Sequence, residues 1–209
     1  MYDILPEDLL TVIRDRYVAG VADAEAEFGA SSEDEDTVTG ALGQAISSKG
    51  PQVFYHGAQT YVWQVSYKKI RGRGAGAPEK RLGADGIFQI RVSDAAGNTI
   101  RTKGLPFQCK KGWQGADPKL GRQAGNMVTE AGDGIVIDYT PEGYTACSAA
   151  QAVQAEGNRR SVDGMKPLGQ MLGNDFLECR RGKVGLAYNP EQGAFGHVIS
   201  TEVTALHRE

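Results

Sequence analysis

The chain of 209 residues has few cysteines and histidines, and neither type forms a recognisable site. Its three cysteines are scattered and include no Cys-x-x-Cys pair, so the sequence supports neither a disulfide framework nor a zinc ribbon. Its three histidines show no His-Glu-x-x-His spacing, and there is no Gly-x-Ser-x-Gly sequence. These absences argue against a zinc protease and against an α/β-hydrolase with a nucleophilic serine.

Long apolar runs and a basic start are missing as well. No stretch approaches the roughly 20 apolar residues of a membrane span. Met1–Leu10 carries acids where a signal peptide would have basic residues followed by an apolar core. The sequence therefore predicts a cytoplasmic protein with no membrane contact. Its length and its hydrophobic fraction of 40% are typical of a globular chain that buries a substantial core.

There is no overall excess of positive charge. The formal net charge is −3, whereas proteins that bind nucleic acid usually show a basic footprint. Basic residues are instead concentrated locally, in Lys68–Arg73 and Lys80–Arg81, while acids are concentrated over residues 23–36. This distribution permits a basic cleft that contacts phosphates. The alternative is that these charged segments are ordinary solvent-exposed faces.

Two predicted strands carry the most informative polar residues. Residues 87–93 and 99–110 read as strands, and the loop 94–98 between them is rich in residues that favour turns. A hairpin of this kind would bring Asp85, which precedes the first strand, close to the end of the second. The sequence thus predicts a cluster of polar groups at one edge of a sheet.

The second strand directs two polar side chains to the same face. Gln108 and Lys110 lie two residues apart and share a face, while Cys109 points the other way. Carboxylate and carbonyl oxygens, here from Asp85 and Gln108, suit a hard divalent cation such as Mg²⁺. An ammonium beside the cation can stabilise charge on a phosphate or orient water, a role that fits Lys110. The alternatives are a turn residue for Asp85 and a solvated edge-strand face for the other two.

An acidic helix is predicted over residues 31–46. Glu35 falls on its apolar stripe, from which a carboxylate can reach a buried metal. Asp36 is the second candidate for this acid. The alternative is structural, because Ser32-x-x-Glu35 has the pattern of a capping box.

Asp85, the Gln108-x-Lys110 pair and the acidic helix together resemble the PD-(D/E)xK nuclease superfamily, which includes many restriction endonucleases. The resemblance covers roughly residues 31–155. Ala84 stands where the family has proline before the aspartate, and Gln108 stands where the family has its second acid, a position at which some members also have glutamine.

The resemblance implies a metal-dependent endonuclease that hydrolyses phosphodiester bonds of DNA with Mg²⁺ or Mn²⁺. Asp85, Gln108 and Glu35 would hold the metal, and Lys110 would stabilise charge. It further implies antiviral defence, as a homo-oligomer or as a subunit of a larger defence complex. The alternative is a catalytically inactive nuclease-like module that binds DNA or a partner protein.

The expected fold is α/β, with a mixed central sheet flanked by helices in the manner of restriction endonucleases. This sheet would contain a three-strand meander that begins with a strand at 59–69, plus a further strand, followed by a helix at 144–154. The expected organisation is an N-terminal helix (1–30), a nuclease-like core (31–157) and a C-terminal extension packed on the core (158–209).

Four residues are candidates for contact with DNA. Arg71 and Arg73 lie in a glycine-rich loop, which lacks the Gly-Lys-Ser/Thr ending of a P-loop. Lys111 follows the second motif and is expected to face away from Lys110. Gln123, on the next predicted helix, would face the cleft or else be an exposed helix residue.

Overall fold

A mixed, open sheet with helices on both faces forms this structure, a computed structural model that describes residue 1 and residues 3–70, 82–190 and 195–207. The strands are β1 (Gln52–His56), β2 (Gln59–Lys69), β3 (Gly86–Ser93), β4 (Thr99–Lys111), β5 (Ile135–Thr140), β6 (Gly143–Ser148), β7 (Lys166–Pro167), β8 (Lys183–Val184) and β9 (His197–His207). The helices are α1 (Glu7–Ala26), α2 (Phe28–Ser31), α3 (Glu35–Ile46), α4 (Pro118–Asn126), α5 (Ala149–Gln154) and α6 (Leu168–Gln170). Helices α4 and α6 continue as π-helical turns over Met127–Ala131 and Met171–Phe176. The α/β class, with its mixed central sheet flanked by helices, is as predicted.

The strand order is β1-β2-β9-β3-β4-β5-β6-β7, with β8 pairing separately with β4. The predicted meander of β2, β3 and β4 is therefore wrong, because β9 lies between β2 and β3. It runs antiparallel to β2 and parallel to β3. A strand of the segment 158–209 thus lies in the middle of the sheet.

The composition of β9 explains how it can occupy a central position. Five of its eleven residues are valine, isoleucine or threonine, which suit a pleated and largely buried surface. Ile199 and Val203 are buried on one face, and Val198 is buried on the other. A parallel pair such as β3 and β9 needs a long crossover connection, which the intervening strands and helices provide.

The two faces of the sheet are covered by different helices. On one face, residues of α1 and α3 such as Ile13, Tyr17 and Leu42 pack against alternate residues of β2, β3, β4 and β9. On the other face, Leu120 of α4 and Ala152 of α5 pack against the opposite set of strand residues. None of the helices in the described part of the chain combines the length and the apolar character needed to cross a membrane.

Two element boundaries differ from the sequence prediction. Helix α3 begins after Asp34, whose carboxylate accepts a hydrogen bond of 2.7 Å from the Thr37 amide, so Asp34 is the cap and the Ser32 capping box does not form. Residues 143–148 form β6 rather than the start of a helix. Ser148 ends this strand and caps α5 through a capping box with Gln151, which moves the helix start to Ala149.

Candidate active site

Asp85 is fixed by its backbone at the edge where β3, β4 and β9 meet. Its amide donates to the Phe107 carbonyl at 2.8 Å, and its carbonyl accepts from the amides of Gly196 and His197 at 2.9 and 3.1 Å. The next residue, Gly86, has no room for a side chain, because a Cβ there would lie 2.3 Å from the Phe107 ring. The backbone of Asp85 is therefore held by three hydrogen bonds and by close packing at the next residue, unlike that of a residue in a surface turn.

The carboxylate of Asp85 faces the end of β4. Its Oδ2 atom accepts hydrogen bonds from the Cys109 amide at 2.8 Å and from Gln108 Nε2 at 2.5 Å. The pKa of Asp85 is raised to about 6, chiefly by burial and also by the nearby Glu35 carboxylate, while the two hydrogen bonds and Lys110 act in the opposite direction. A carboxylate in this state is receptive to a cation that would neutralise it.

Gln108 links Asp85 to helix α4. It is 4% exposed, and its Oε1 accepts a hydrogen bond of 3.0 Å from Gln123 Nε2. The Oε1 atom of Gln123 is buried and has no hydrogen-bond partner among the described residues. Buried polar atoms are nearly always paired, so an orphaned acceptor that is connected to a carboxylate through Gln108 is unusual and marks this region as a candidate site.

Lys110 lies on the same face of β4 as Gln108. Its ammonium is 3.1 Å from Asp117 Oδ2, and both side chains are only partly exposed. Asp117 also caps α4, since its carboxylate accepts from the Leu120 amide at 2.9 Å. In register beside Lys110 on β5 is Asp138, which is buried and paired with Arg159. The Lys110 ammonium is therefore held by Asp117, and it is close enough to Asp85 to act on the pKa of that carboxyl.

Glu35 approaches the same edge from the other face of the sheet. It is the first residue of α3, and its Oε1 accepts from the Lys111 amide at 3.3 Å. The Lys111 ammonium donates to the carbonyls of Ser32 and Glu33 at 2.6 and 3.2 Å. Lys111 thus ties the end of β4 to the turn before α3.

Asp36, the second candidate acid, belongs to a different cluster. His197 is 4% exposed, and its ring nitrogens lie 2.8 Å from Asp36 Oδ1 and 2.9 Å from the Tyr67 hydroxyl. The Tyr67 and His197 rings are stacked, and Lys69 forms an ion pair with Asp36. Burial lowers the pKa of His197, although the Asp36 carboxylate acts to raise it.

Four predicted residues thus lie together at the sheet edge. The sequence-based site lacks two further residues near this edge, one beside Lys110 and one in the Asp36 cluster. Asp85, Gln108, Lys110 and Gln123 share one side, with Glu35 reaching them from α3. His197 and Asp117 were missed. A cap pattern, Asp117-Pro118 before a helix, could have drawn attention to Asp117, but no local pattern distinguishes His197.

The remaining predicted DNA contacts are divided. Arg71 and Arg73, with the glycine-rich loop, lie outside the described residues. Lys111 is exposed, although its ammonium is engaged by the two carbonyls described above.

Comparison with known proteins adds no relative to this picture. No protein-family model, no curated protein and no solved structure matches the chain. Within the described residues, no group of three or more histidine, cysteine, aspartate or glutamate side chains is arranged to hold a metal ion. Function is therefore inferred from the residues at the sheet edge and from their geometry.

Proposed function

We propose that this protein is a metal-dependent endonuclease that hydrolyses phosphodiester bonds of DNA. The observation that carries the proposal is the Asp85 carboxylate, whose pKa is raised to about 6 beside Glu35 and on the side of the sheet where Gln108 and Lys110 lie. In this proposal Asp85 is the metal carboxylate, Glu35 is the further acid and Lys110 stabilises charge on the phosphate.

The residues fit Mg²⁺ or Mn²⁺, since Mg²⁺ keeps several waters and needs only one or two carboxylates from protein. Both hydrogen bonds to Asp85 described above go to Oδ2, so Oδ1 is the oxygen suited to a cation. When bound, the metal would activate water and neutralise charge on the phosphate.

Gln108 can serve as a ligand after a rotation of its amide. In the structure its Nε2 faces Asp85 and its Oε1 faces Gln123. If both amides turn over, Gln108 Nε2 donates to Gln123 Oε1, and Gln108 Oε1 faces the same side as the Asp85 carboxylate. The Oε1 of Gln123 then accepts this hydrogen bond, and its Nε2 takes the unpaired position that Oε1 held before.

Lys110 is suited to act on the phosphate rather than on the metal. Its ammonium is held by Asp117 at 3.1 Å and is partly exposed, so it can reach a substrate without losing its position. A fixed positive charge that meets growing negative charge contributes strongly to catalysis. DNA as the substrate, and a role in defence against phage as an oligomer or a subunit, follow from the family resemblance.

One observation favours the alternative of an inactive nuclease-like module. Gln108 occupies the position of the second acid, and its amide donates directly to Asp85, an arrangement that is stable without a metal. In this alternative the edge would bind DNA or a partner protein, and Lys110 would only support helix α4 through Asp117.

The test is cleavage of supercoiled and linear DNA in Mg²⁺, Mn²⁺ or EDTA by the parent and by Asp85→Asn and Lys110→Ala. We expect metal-dependent cutting that falls at least about 100-fold in both variants, the scale seen when one charge-stabilising group is removed. Lys119→Ala, which removes an exposed lysine on α4, should cut like the parent. If Lys110→Ala cuts as fast as the parent, the assigned site is wrong, and a parent that binds DNA without cutting it supports the inactive module.

A further inference from the structure

A cavity lies away from Asp85, on the strands β2, β9 and β3. Its volume is about 220 Å³, and the residues that matter here are Lys68, Gln89, Arg91, Tyr188, Ser200 and Glu202. We name it the β9 pocket. Val198 in its wall belongs to the same core cluster as Val136, the register partner of Gln108, so the pocket is on the α4 side of the sheet.

The floor of the β9 pocket is held in place by one buried amide. Gln89 is 6% exposed, and its Nε2 donates to the Ser200 hydroxyl at 3.0 Å. Its Oε1 accepts from the Tyr188 amide at 2.7 Å, which fastens the segment that carries the Tyr188 side chain over the strands. A site built on rigid strands in this way needs little rearrangement to take a ligand.

Arg91 is the unusual member of the pocket. Its Nε is buried and has no hydrogen-bond partner among the described residues. Arg91 also forms no ion pair with any of these residues. Glu202 lies beside it in register on β9 but is exposed. Burying part of a guanidinium without a partner is costly, and the planar group is well matched to a phosphate. Arg91 therefore points to an anionic ligand.

Three other residues that line the β9 pocket indicate which kind of anion it would bind. Lys68 adds an exposed positive charge at the end of the pocket nearer to His197, with Val198 as its register partner. Tyr188 supplies an aromatic ring, on which a base can stack. Glu202 supplies an acceptor that suits a sugar hydroxyl and opposes a second anionic group.

We propose that the β9 pocket binds one nucleotide through its phosphate, with Arg91 on the phosphate and Tyr188 against the base. The nucleotide is either free or part of a nucleic-acid strand, and the phosphate chemistry is the same in both. This proposal does not depend on the metal site or on nuclease activity.

The test is binding in EDTA, measured by calorimetry for the nucleoside 5′-monophosphates and inorganic phosphate, and by fluorescence anisotropy for a labelled single-stranded oligonucleotide. We expect Arg91→Gln to weaken binding at least about tenfold, as expected for loss of a bidentate phosphate contact. Lys68→Gln should weaken it about threefold, and Glu202→Gln should tighten it about threefold, because each changes one exposed neighbouring charge. Arg122→Gln, which removes an exposed arginine on α4, should change nothing.

The two sources of the phosphate are separated by the probes. Saturable binding of a monophosphate that responds to these variants supports a free nucleotide, and a response limited to the oligonucleotide supports a strand. No binding, binding that ignores Arg91 and Glu202, or inorganic phosphate bound as tightly as any nucleotide would overturn the proposal. Lys68 and Glu202 are exposed, so their variants still decide the matter if Arg91→Gln does not fold.

Discussion

The two sides of the sheet edge carry similar polar groups but satisfy them differently. On the α3 side, both ring nitrogens of His197 have partners, in Asp36 and Tyr67. On the α4 side, Gln123 has a buried oxygen with no partner among the described residues, and the pKa of Asp85 is raised to about 6. A satisfied buried network stabilises a fold, whereas an incompletely satisfied one is costly and suits a ligand site. We therefore expect substitutions on the two sides to change stability in opposite directions.

The largest effect on stability is expected from Asp85→Asn. Folding raises the pKa of Asp85 from 3.8 to about 6, so the folded state favours the protonated form. The contribution of Asp85 to the free energy of unfolding is fully present below about pH 4 and is lost as the pH rises through 6. The total loss over this range is about 3 kcal/mol. The stability of Asp85→Asn relative to the parent should therefore increase across this range, as measured by urea unfolding from pH 4 to 7 in EDTA.

A matched substitution isolates this effect. Asp163→Asn, at an exposed aspartate, should show no such increase relative to the parent. Adding Mg²⁺ at pH 7 should raise the melting temperature of the parent and not that of Asp85→Asn. A stability difference that is flat between pH 4 and 6 would mean that Asp85 is no more costly to ionise than a surface carboxylate.

His197→Ala should act in the opposite sense and destabilise the protein by about 2 kcal/mol. The substitution removes a buried ring and leaves the Tyr67 hydroxyl without its partner. Chemical denaturation at pH 7 measures the effect. His56→Ala is the control, because His56 pairs with Asp8 on the surface and exposed pairs contribute little. If His197→Ala and His56→Ala lower the free energy of unfolding equally, the buried network on the α3 side stabilises the fold no more than a surface pair does.

The smallest effect is expected from Gln123→Leu. The substitution removes the orphaned Oε1 of Gln123, which favours the folded state, but it also removes the donor to the buried Oε1 of Gln108. These two effects offset each other, so we expect the free energy of unfolding to change by less than about 1 kcal/mol. Gln154→Leu, at an exposed glutamine of α5, should leave the free energy of unfolding unchanged. A loss of more than 1 kcal/mol in Gln123→Leu would show that the α4 side is satisfied like the α3 side.

The parts of the fold that depend on local pattern could be predicted from the sequence. Strand β2 has the predicted bounds, and β3, β4 and the loop between them agree to within one residue. Alternation along β4 was enough to place Gln108 and Lys110 on one face, since strand periodicity is a property of neighbouring residues. The segment 143–148 was misjudged because Ser148 interrupts a run that is apolar enough for either a strand or a helix.

The parts that depend on distant contacts could not be predicted. The insertion of β9 between β2 and β3 is a choice among strands with similar β-propensity, and no residue within β9 specifies its neighbours. The same insertion places His197 beside Tyr67 and Asp36. The contact of Gln123 with Gln108 depends on how α4 packs, which the spacing along either element does not reveal.

The central position of β9 has a consequence for the nascent protein. On the ribosome, β9 is synthesised about a hundred residues after the end of β3. Until then, the edges of β2 and β3 that pair with β9 lack their hydrogen-bond partners. The Asp85 carbonyl accepts its hydrogen bonds from Gly196 and His197, which emerge equally late. Chains that have not yet synthesised this strand should therefore lack the assembled edge, and any ligand of this edge could bind only after synthesis has passed β9.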